Sequence, residues 1–144
     1  MLKNIDPMLS PDLLRGLRAM GHGDEIAIVD ANYPAESAGP MLIRMDGQTT
    51  TRVLEAVLSV MPLDEFVEEA AWRMEVVGNP ERMEPVMGEF AAVIGRHEPK
   101  AKLGRLERFA FYDRVRGAFA VVATGDNRLY ANVIVKKGII RPRP

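Results

Sequence analysis

The chain of 144 residues is 47% hydrophobic, so it can bury one core but is too short for two typical domains of roughly 100–150 residues each. Nineteen basic and twenty acidic residues give a net charge of -1, which argues against nucleic acid or an anionic membrane surface as a partner. The chain has no cysteine, which excludes disulfides, thiolate metal sites and thiol nucleophiles.

The N-terminal residues predict a helix and no membrane segment. Residues 1–7 lack the charged start and long apolar run of a secretory signal, and no stretch approaches the ~20 apolar residues that span a bilayer, so we expect a cytoplasmic protein. Ser10, Pro11 and Asp12 are typical of a helix start, because they supply an N-cap, a first-turn proline and an acidic residue that favours the helix dipole. We expect Gly21 to end this helix in the left-handed conformation.

One of the two histidines, His22, follows this helix and lies between Gly21 and Gly23. Spacing alone favours a helix C-cap in which the imidazole binds a last-turn carbonyl. The alternative is an acid/base group, since imidazole exchanges protons near neutral pH and the flanking glycines let a substrate approach. The apolar run over 25–30 predicts a strand that delivers Asp30 to a loop at its carboxyl end, where α/β sheets often bind ligands.

The next elements are a strand and a helix. Residues 41–45 predict the strand, and the following Asp-Gly pair closes it. Thr50 or Thr51 is expected to cap the helix, because apolar residues then recur at helical spacing until Pro62.

The middle of the chain predicts a strand and a long helix. Apolar residues at period two over 70–77 favour the strand. A stripe at helical spacing predicts the helix, which we expect to end at Gly95, and it consists of Met83, Val86, Met87, Phe90 and Ile94. His97 then falls in a polar, proline-broken segment and is expected in a solvated loop.

The C-terminal third predicts one helix and two strands. The helix spans 108–116 and should turn Phe109, Tyr112 and Val115 inward. The runs 118–124 and 132–136 are rich in β-branched residues and flank a Gly-Asp-Asn turn, so we expect them to supply at least one strand pair.

Strands that alternate with helices predict an α/β fold in which helices cover both faces of a mixed sheet. The sequence lacks both the Gly-x-Gly-x-x-Gly pattern and a Gly-Lys-Ser/Thr loop, which argues against dinucleotides and nucleoside triphosphates as ligands.

Several ordered motifs run nearly end to end through the chain, at residues 21–25, 30–34, 106–112, 118–125 and 129–138. Together they closely resemble the L-fucose mutarotase branch of the ribose pyranase/fucose mutarotase family. Residues 10–14 and 43–47 are similar to the family pattern as well. The resemblance implies one three-layer, ribose-pyranase-like sugar mutarotase domain over residues 1–144.

The resemblance implies an enzyme without metal or organic cofactor that interconverts the α and β anomers of a free reducing sugar, with L-fucose the expected substrate. Such a reaction takes a proton from the anomeric hydroxyl and gives one to the ring oxygen. The alternatives are pyranose–furanose exchange of a pentose such as D-ribose, and a monosaccharide-binding module without catalysis. A metal-dependent isomerase is disfavoured, because two histidines and no cysteine make a poor ligand set.

The same resemblance assigns roles to five side chains. His22 is the expected main acid/base group, and Asp30 is expected to orient it or to hold a sugar hydroxyl. Arg108 is expected to donate to substrate oxygens. Tyr130 is expected to relay a second proton or to hydrogen-bond the sugar through its hydroxyl, and Asn132 to bind the sugar through its amide.

Asp64 is a weaker candidate for contact with a sugar hydroxyl. Ala131 departs from the usual Tyr-Gly-Asn motif and matches ribose-type members, and an alanine there would be costly if the position needed positive φ. Enzymes of the family assemble into rings, often pentamers stacked as decamers, in which a neighbouring chain helps to close the pocket. We therefore expect a homo-oligomer.

Overall fold

The computed structural model describes residues 1–144 and contains a six-stranded sheet and four helices. The strands are β1 (Glu25–Val29), β2 (Met41–Met45), β3 (Ala71–Met74), β4 (Leu103–Leu106), β5 (Ala120–Thr124) and β6 (Val133–Lys136). The helices are α1 (Pro11–Ala19), α2 (Thr50–Leu58), α3 (Pro85–His97) and α4 (Arg108–Arg116).

The sheet is mixed and has the strand order β2-β5-β1-β6-β3-β4. Strand β6 runs antiparallel to both of its neighbours, β1 and β3, while every other neighbouring pair is parallel. The other five strands therefore end at the same side of the sheet, which we call the carboxyl edge, and they begin at the opposite side, the amino edge. This arrangement decides which loops can share a site.

Both faces of the sheet are covered, as predicted. Alternate side chains of the strands pack on one face against α1, α2 and α3, and this larger core includes Leu13, Val53 and Phe90. The other face packs against α4 through Phe111 and Val115, and against the segment around a short 3₁₀ turn at Glu36–Ala38. The predicted three-layer α/β fold is confirmed.

Helix α1 starts as predicted but ends differently. The Ser10 hydroxyl accepts a hydrogen bond from the Leu13 amide at 3.2 Å, which confirms the N-cap. The helix ends at Ala19 with Met20 as its C-cap, and Gly21 does not have positive φ. The left-handed residue of this connection is Gly23, with a φ of 89°, so the prediction for Gly21 was wrong.

Two other helix ends also differ from the predictions. Thr49, rather than Thr50 or Thr51, caps α2 through its hydroxyl, which accepts from the Arg52 amide at 3.2 Å. Helix α3 continues past Gly95 to His97. The predicted end at Gly95 and the loop placement of His97 were wrong, because α3 packs on α2 and His97 Nε2 lies 2.7 Å from Glu55 Oε1.

The C-terminal third departs from the predictions in three places. In α4 the buried aromatic residue is Phe111, whereas Phe109 is 60% exposed, so the expected inward face was wrong at Phe109. Strands β5 and β6 do not pair, because β1 lies between them. Strand β4, which the sequence patterns did not predict, forms the far end of the sheet beside β3.

Candidate active site

The six candidate residues separate into two groups at opposite edges of the sheet. His22 precedes β1 and Asp30 follows it, so the strand Glu25–Val29 lies between them. At about 3.3 Å per residue, this strand alone separates the two residues by on the order of 15 Å. Within one chain Asp30 therefore cannot orient His22, and that expectation was wrong.

At the amino edge, His22 pairs with Asp64. His22 Nε2 lies 3.1 Å from Asp64 Oδ1, and the same carboxylate oxygen accepts a hydrogen bond from the Phe66 amide at 3.0 Å. The Asp64 amide donates to the Lys136 carbonyl at 3.0 Å, which fixes this loop against the end of β6. The His22 side chain remains 45% exposed, so a ligand can reach the imidazole ring.

The surroundings of Asp64 favour its charged form. Burial alone would raise the pKa of this carboxyl. The hydrogen bonds from the Phe66 amide and His22, together with the charges of His22 and Lys136, outweigh burial and hold the pKa below its ordinary value. An ionised Asp64 can fix the ring orientation of His22 and stabilise its protonated form.

Lys137 anchors the turn that carries His22. Its ammonium group donates to the Leu17 and Met20 carbonyls, at 2.7 and 2.6 Å, at the end of α1. Its backbone pairs with the same turn, because the Gly23 amide donates to the Lys137 carbonyl at 2.9 Å. Burial lowers the pKa of Lys137. Sequence reasoning missed this anchor, although Lys137 lies within the family motif at residues 129–138.

At the carboxyl edge, Asp30 and Asn132 bind each other. Asp30 is only 5% exposed, and its amide donates to Asn132 Oδ1 at 2.8 Å. Asp30 Oδ1 accepts from the Asn32 amide at 2.9 Å. Burial raises the pKa of Asp30, and its hydrogen bonds offset only part of this effect. The Asn132 side chain is one source of those hydrogen bonds, so its NH₂ group lies beside the Asp30 carboxyl as a donor.

Tyr130 has an unusual backbone. Its φ is 62°, in the left-handed region that non-glycine residues rarely adopt. Its hydroxyl oxygen accepts a hydrogen bond from the Val77 amide at 3.1 Å, which leaves the phenol proton available for donation.

The neighbouring Ala131 does not have positive φ, so alanine in place of the usual glycine is not strained. Ala131 is fully buried, and its carbonyl accepts from the Thr50 hydroxyl at 2.8 Å.

Arg108 is the first residue of α4 and therefore lies just beyond the carboxyl end of β4. Its Nε is buried and has no hydrogen-bond partner in the chain. The guanidinium carbon lies 4.6 Å from the centroid of the Phe109 ring, and this contact holds the group at the surface of the helix. A buried donor without a partner is unfavourable, and a ligand oxygen or a neighbouring chain can relieve it.

Each edge also has an open cleft. A cleft of about 480 Å³ lies beside Asp30, between the loop after β1 and the ends of β2 and β5, with Arg44 and Thr124 in its lining. Arg108, Tyr130 and Asn132 do not line it. A second cleft, of about 440 Å³, includes Asp64.

No three His, Cys, Asp or Glu side chains converge in a way that could hold a metal ion. None of the helices is long and apolar enough to cross a membrane.

Comparisons with known proteins agree with one another. The model of the RbsD / FucU transport protein family matches residues 3–140. The human fucose mutarotase is 46% identical over 149 residues, which cover 99% of this chain and 97% of that protein. The crystal structure of the Streptococcus pneumoniae fucose mutarotase in complex with L-fucose is 42% identical, with a TM-score of 0.90 over 97% of this chain and 100% of that one.

A more distant structure, Bacillus subtilis RbsD complexed with D-ribose, is 20% identical and has a TM-score of 0.72. It covers 98% of this chain and 100% of that one, and at this identity it supports the fold alone.

Proposed function

The chain belongs to the RbsD / FucU transport protein family, and on that premise we propose that it is a mutarotase that interconverts the α and β anomers of L-fucose without a cofactor. An enzyme of this kind is an isomerase. The proposal is supported by fucose mutarotases that match almost the whole chain at more than 40% identity.

The reaction needs two proton transfers. One group removes the proton of the anomeric hydroxyl while another gives a proton to the ring oxygen, so that the bond between C1 and that oxygen breaks and an open-chain aldehyde forms. Rotation of the aldehyde and the reverse transfers close the ring on the opposite face. We assign the main acid/base role to His22, held by Asp64, and the second proton to Tyr130, whose hydroxyl has a free proton.

The remaining carboxyl-edge residues fit the binding of sugar hydroxyls. The Asn132 NH₂ group is a donor beside the Asp30 carboxyl and Arg108 has an unpartnered Nε, and both groups can bind sugar oxygens. Asp30 can accept a hydroxyl proton or share in acid/base transfer, because burial favours its neutral form. Asp64 serves in this scheme as the partner of His22 rather than as a direct sugar ligand.

The distance between the two edges supports a site that is shared by two copies of the chain. A single monosaccharide cannot bridge on the order of 15 Å of β-strand, so His22 and Asp30 of the same chain cannot contact the same sugar. We propose that the sugar lies between two copies, where one supplies the His22–Asp64 pair and the other supplies Asp30, Arg108, Tyr130 and Asn132.

Exposed apolar side chains support contact between the two edges. Phe66 is 59% exposed, and its ring centroid lies 5.6 Å from that of His22. Phe109, Leu129 and Val77 are exposed close to Arg108 and Tyr130 in the chain or in space. A contact that joins different surfaces of two identical chains closes into a ring when the rotation permits, which agrees with the expected pentamer or decamer.

Anomer exchange tests the function directly. Saturation-transfer NMR on L-fucose and D-ribose, with and without protein, separates catalysis from spontaneous mutarotation. We expect faster exchange of L-fucose with wild-type protein and no acceleration with His22→Ala. Faster exchange of ribose than of fucose would support the pentose alternative, and sugar binding without faster exchange would support a binding module.

Mixed subunits test the shared site. His22→Ala and Asp30→Asn chains, each expected to have reduced activity alone, should together regain activity when they are co-expressed, because random mixing leaves about a quarter of the contacts with both intact edges. Activity that is not restored in verified mixed oligomers, or a monomer mass in light scattering, would contradict the shared site.

The cytoplasmic location stays a prediction, which cell fractionation tests.

A further inference from the structure

The loop between β3 and α3 contacts Tyr130. We call residues 76–82 the strap. The strap begins with a turn in which the Asn79 amide donates to the Val76 carbonyl at 3.0 Å, and Gly78 provides the left-handed residue with a φ of 78°. This turn presents the Val77 amide to the hydroxyl of Tyr130, at 3.1 Å.

Two arginines hold the other half of the strap through one carbonyl. Arg73 Nη2 donates to the Pro80 carbonyl at 3.2 Å, and Arg105 Nη1 donates to the same oxygen at 3.0 Å. Arg105 also forms ion pairs with Glu81 and Glu75, at 2.6 and 3.6 Å. The strap is exposed to solvent along most of its length, so these contacts, rather than burial of its own side chains, determine its position.

Of these two arginines, Arg73 has the more unusual environment. It lies within β3 and is 5% exposed, yet its guanidinium binds only the carbonyls of Met74, at 3.5 Å, and Pro80, and forms no ion pair. Burial and the neighbouring charge of Arg105 lower its pKa. The charges of Glu75 and Glu81 offset part of this effect, but no carboxylate contacts the guanidinium directly. A buried cation without a direct carboxylate contact disfavours folding, which is consistent with a role of Arg73 beyond stability.

The contacts lead from Arg73 to the reacting group in three steps. Arg73 fixes the Pro80 carbonyl, the strap fixes the Val77 amide, and that amide occupies an acceptor position of the Tyr130 hydroxyl. With this position filled, the phenol proton is directed away from the strap. The left-handed backbone of Tyr130 is strained, and such strain persists only where the surroundings hold the residue in place.

We propose that Arg73 is a positioning residue, which acts through the strap to aim the hydroxyl proton of Tyr130 at the sugar. This inference rests on the proposed function, because it assigns a task to the proton donor of that reaction. It applies to a residue that does not itself touch the substrate.

A double-mutant cycle in the full-length protein tests the proposal. Arg73→Lys, which keeps the charge but loses the forked geometry, should lower kcat for L-fucose exchange about tenfold with little change in KM, as expected for a misplaced catalytic group. In a Tyr130→Phe background the same substitution should change kcat less than about twofold, because the hydroxyl that it positions is absent. Arg96→Lys, on the exposed face of α3 beside Glu55, is the matched control and should keep wild-type rates in both backgrounds.

A second variant covers the case in which Arg73→Lys does not fold. Arg105→Gln weakens the same Pro80 contact from the exposed side, and we expect a smaller loss of kcat that also disappears with Tyr130→Phe. Hydrogen exchange of the Val77 amide should accelerate in Arg73→Lys, Arg105→Gln and Tyr130→Phe alike.

The outcomes separate this inference from the proposed function. Equal losses of kcat with and without the Tyr130 hydroxyl, or an unchanged kcat in Arg73→Lys, would overturn the positioning role while the mutarotase proposal stands. A wild-type protein that does not accelerate exchange would overturn the proposed function and this inference together, whatever the Val77 amide does.

Discussion

The two edges of the sheet hold aspartates whose surroundings favour opposite charge states. At the amino edge, hydrogen bonds from His22 and the Phe66 amide outweigh burial and lower the pKa of Asp64. At the carboxyl edge, burial outweighs the hydrogen bonds of Asp30 and raises its pKa. Environments that shift the pKa values of two carboxyl groups in opposite directions are typical of acid/base sites, because one group remains an anion while the other can hold a proton.

Neither edge is a complete site by itself. The amino edge has the His22 imidazole paired with Asp64, and the carboxyl edge has an arginine with an unpartnered Nε, an amide and a phenol but no imidazole. Joining the edges of two copies brings the base and the sugar-binding groups together.

Substitution of the two histidines should have very different effects on the rate of sugar exchange. His22→Ala should lower the rate of L-fucose exchange by about 10²–10⁴-fold, the usual contribution of one acid/base group, with little loss of stability because the side chain is half exposed. His97→Ala is the matched control, since His97 contacts Glu55 and no candidate site residue. Saturation-transfer NMR and thermal unfolding measure both variants, and an active His22→Ala would remove the imidazole from the mechanism.

The carboxyl edge should depend on a buried hydrogen bond that the amino edge lacks. Thr50→Val leaves the Ala131 carbonyl without its donor, and we expect it to lower the free energy of unfolding by about 1–3 kcal/mol. Thr51→Val removes a partly exposed contact with Glu89 and should cost less than about 1 kcal/mol. Urea unfolding measures both, and equal effects would show that the buried bond does not support the Tyr130–Asn132 turn.

Asp64 should stabilise the fold in a pH-dependent way. Its folded-state pKa is lowered, so its stabilisation is fully present above the unfolded value near 4 and is lost as the pH falls through the folded value. At pH 7 we expect Asp64→Asn to be less stable than the wild type by about 1 kcal/mol. Urea unfolding between pH 3 and 7 should show this difference shrink below about pH 4. A constant difference would mean that the charge of Asp64 does not contribute.

The charge of Asp30 should affect stability in the opposite direction to that of Asp64, and by a smaller amount. Its folded-state pKa is raised, so its charge disfavours folding above the folded value, and this effect disappears below the unfolded value near 4. Asp30→Asn should therefore be as stable as the wild type, or slightly more stable, at pH 7, while sugar exchange falls. Thermal unfolding and NMR exchange measure the two effects. Loss of stability at pH 7 would show that the carboxylate supports the fold instead.

The sequence determined the local elements because their signals are local. The Ser10 hydroxyl caps α1, and the strand predicted over 41–45 has those bounds in the structure. The alternation of strands and helices was enough to predict a mixed sheet with helices on both faces, since apolar strands need cover on each side. The motifs identified the family before any contact was known, and the roles of the six site residues stay predictions.

Long-range packing determines which distant segments pair. No local pattern could show that β1 separates β5 from β6, or that Asp64, 42 residues away, is the partner of His22. Helix α3 passes Gly95 because packing on α2 outweighs the weak propensity of one glycine. The positive φ falls on Tyr130 instead of Ala131 because the strap and the Thr50 contact fix both ends of that turn. These features depend on contacts between segments that are distant in the sequence, and local sequence patterns do not reveal such contacts.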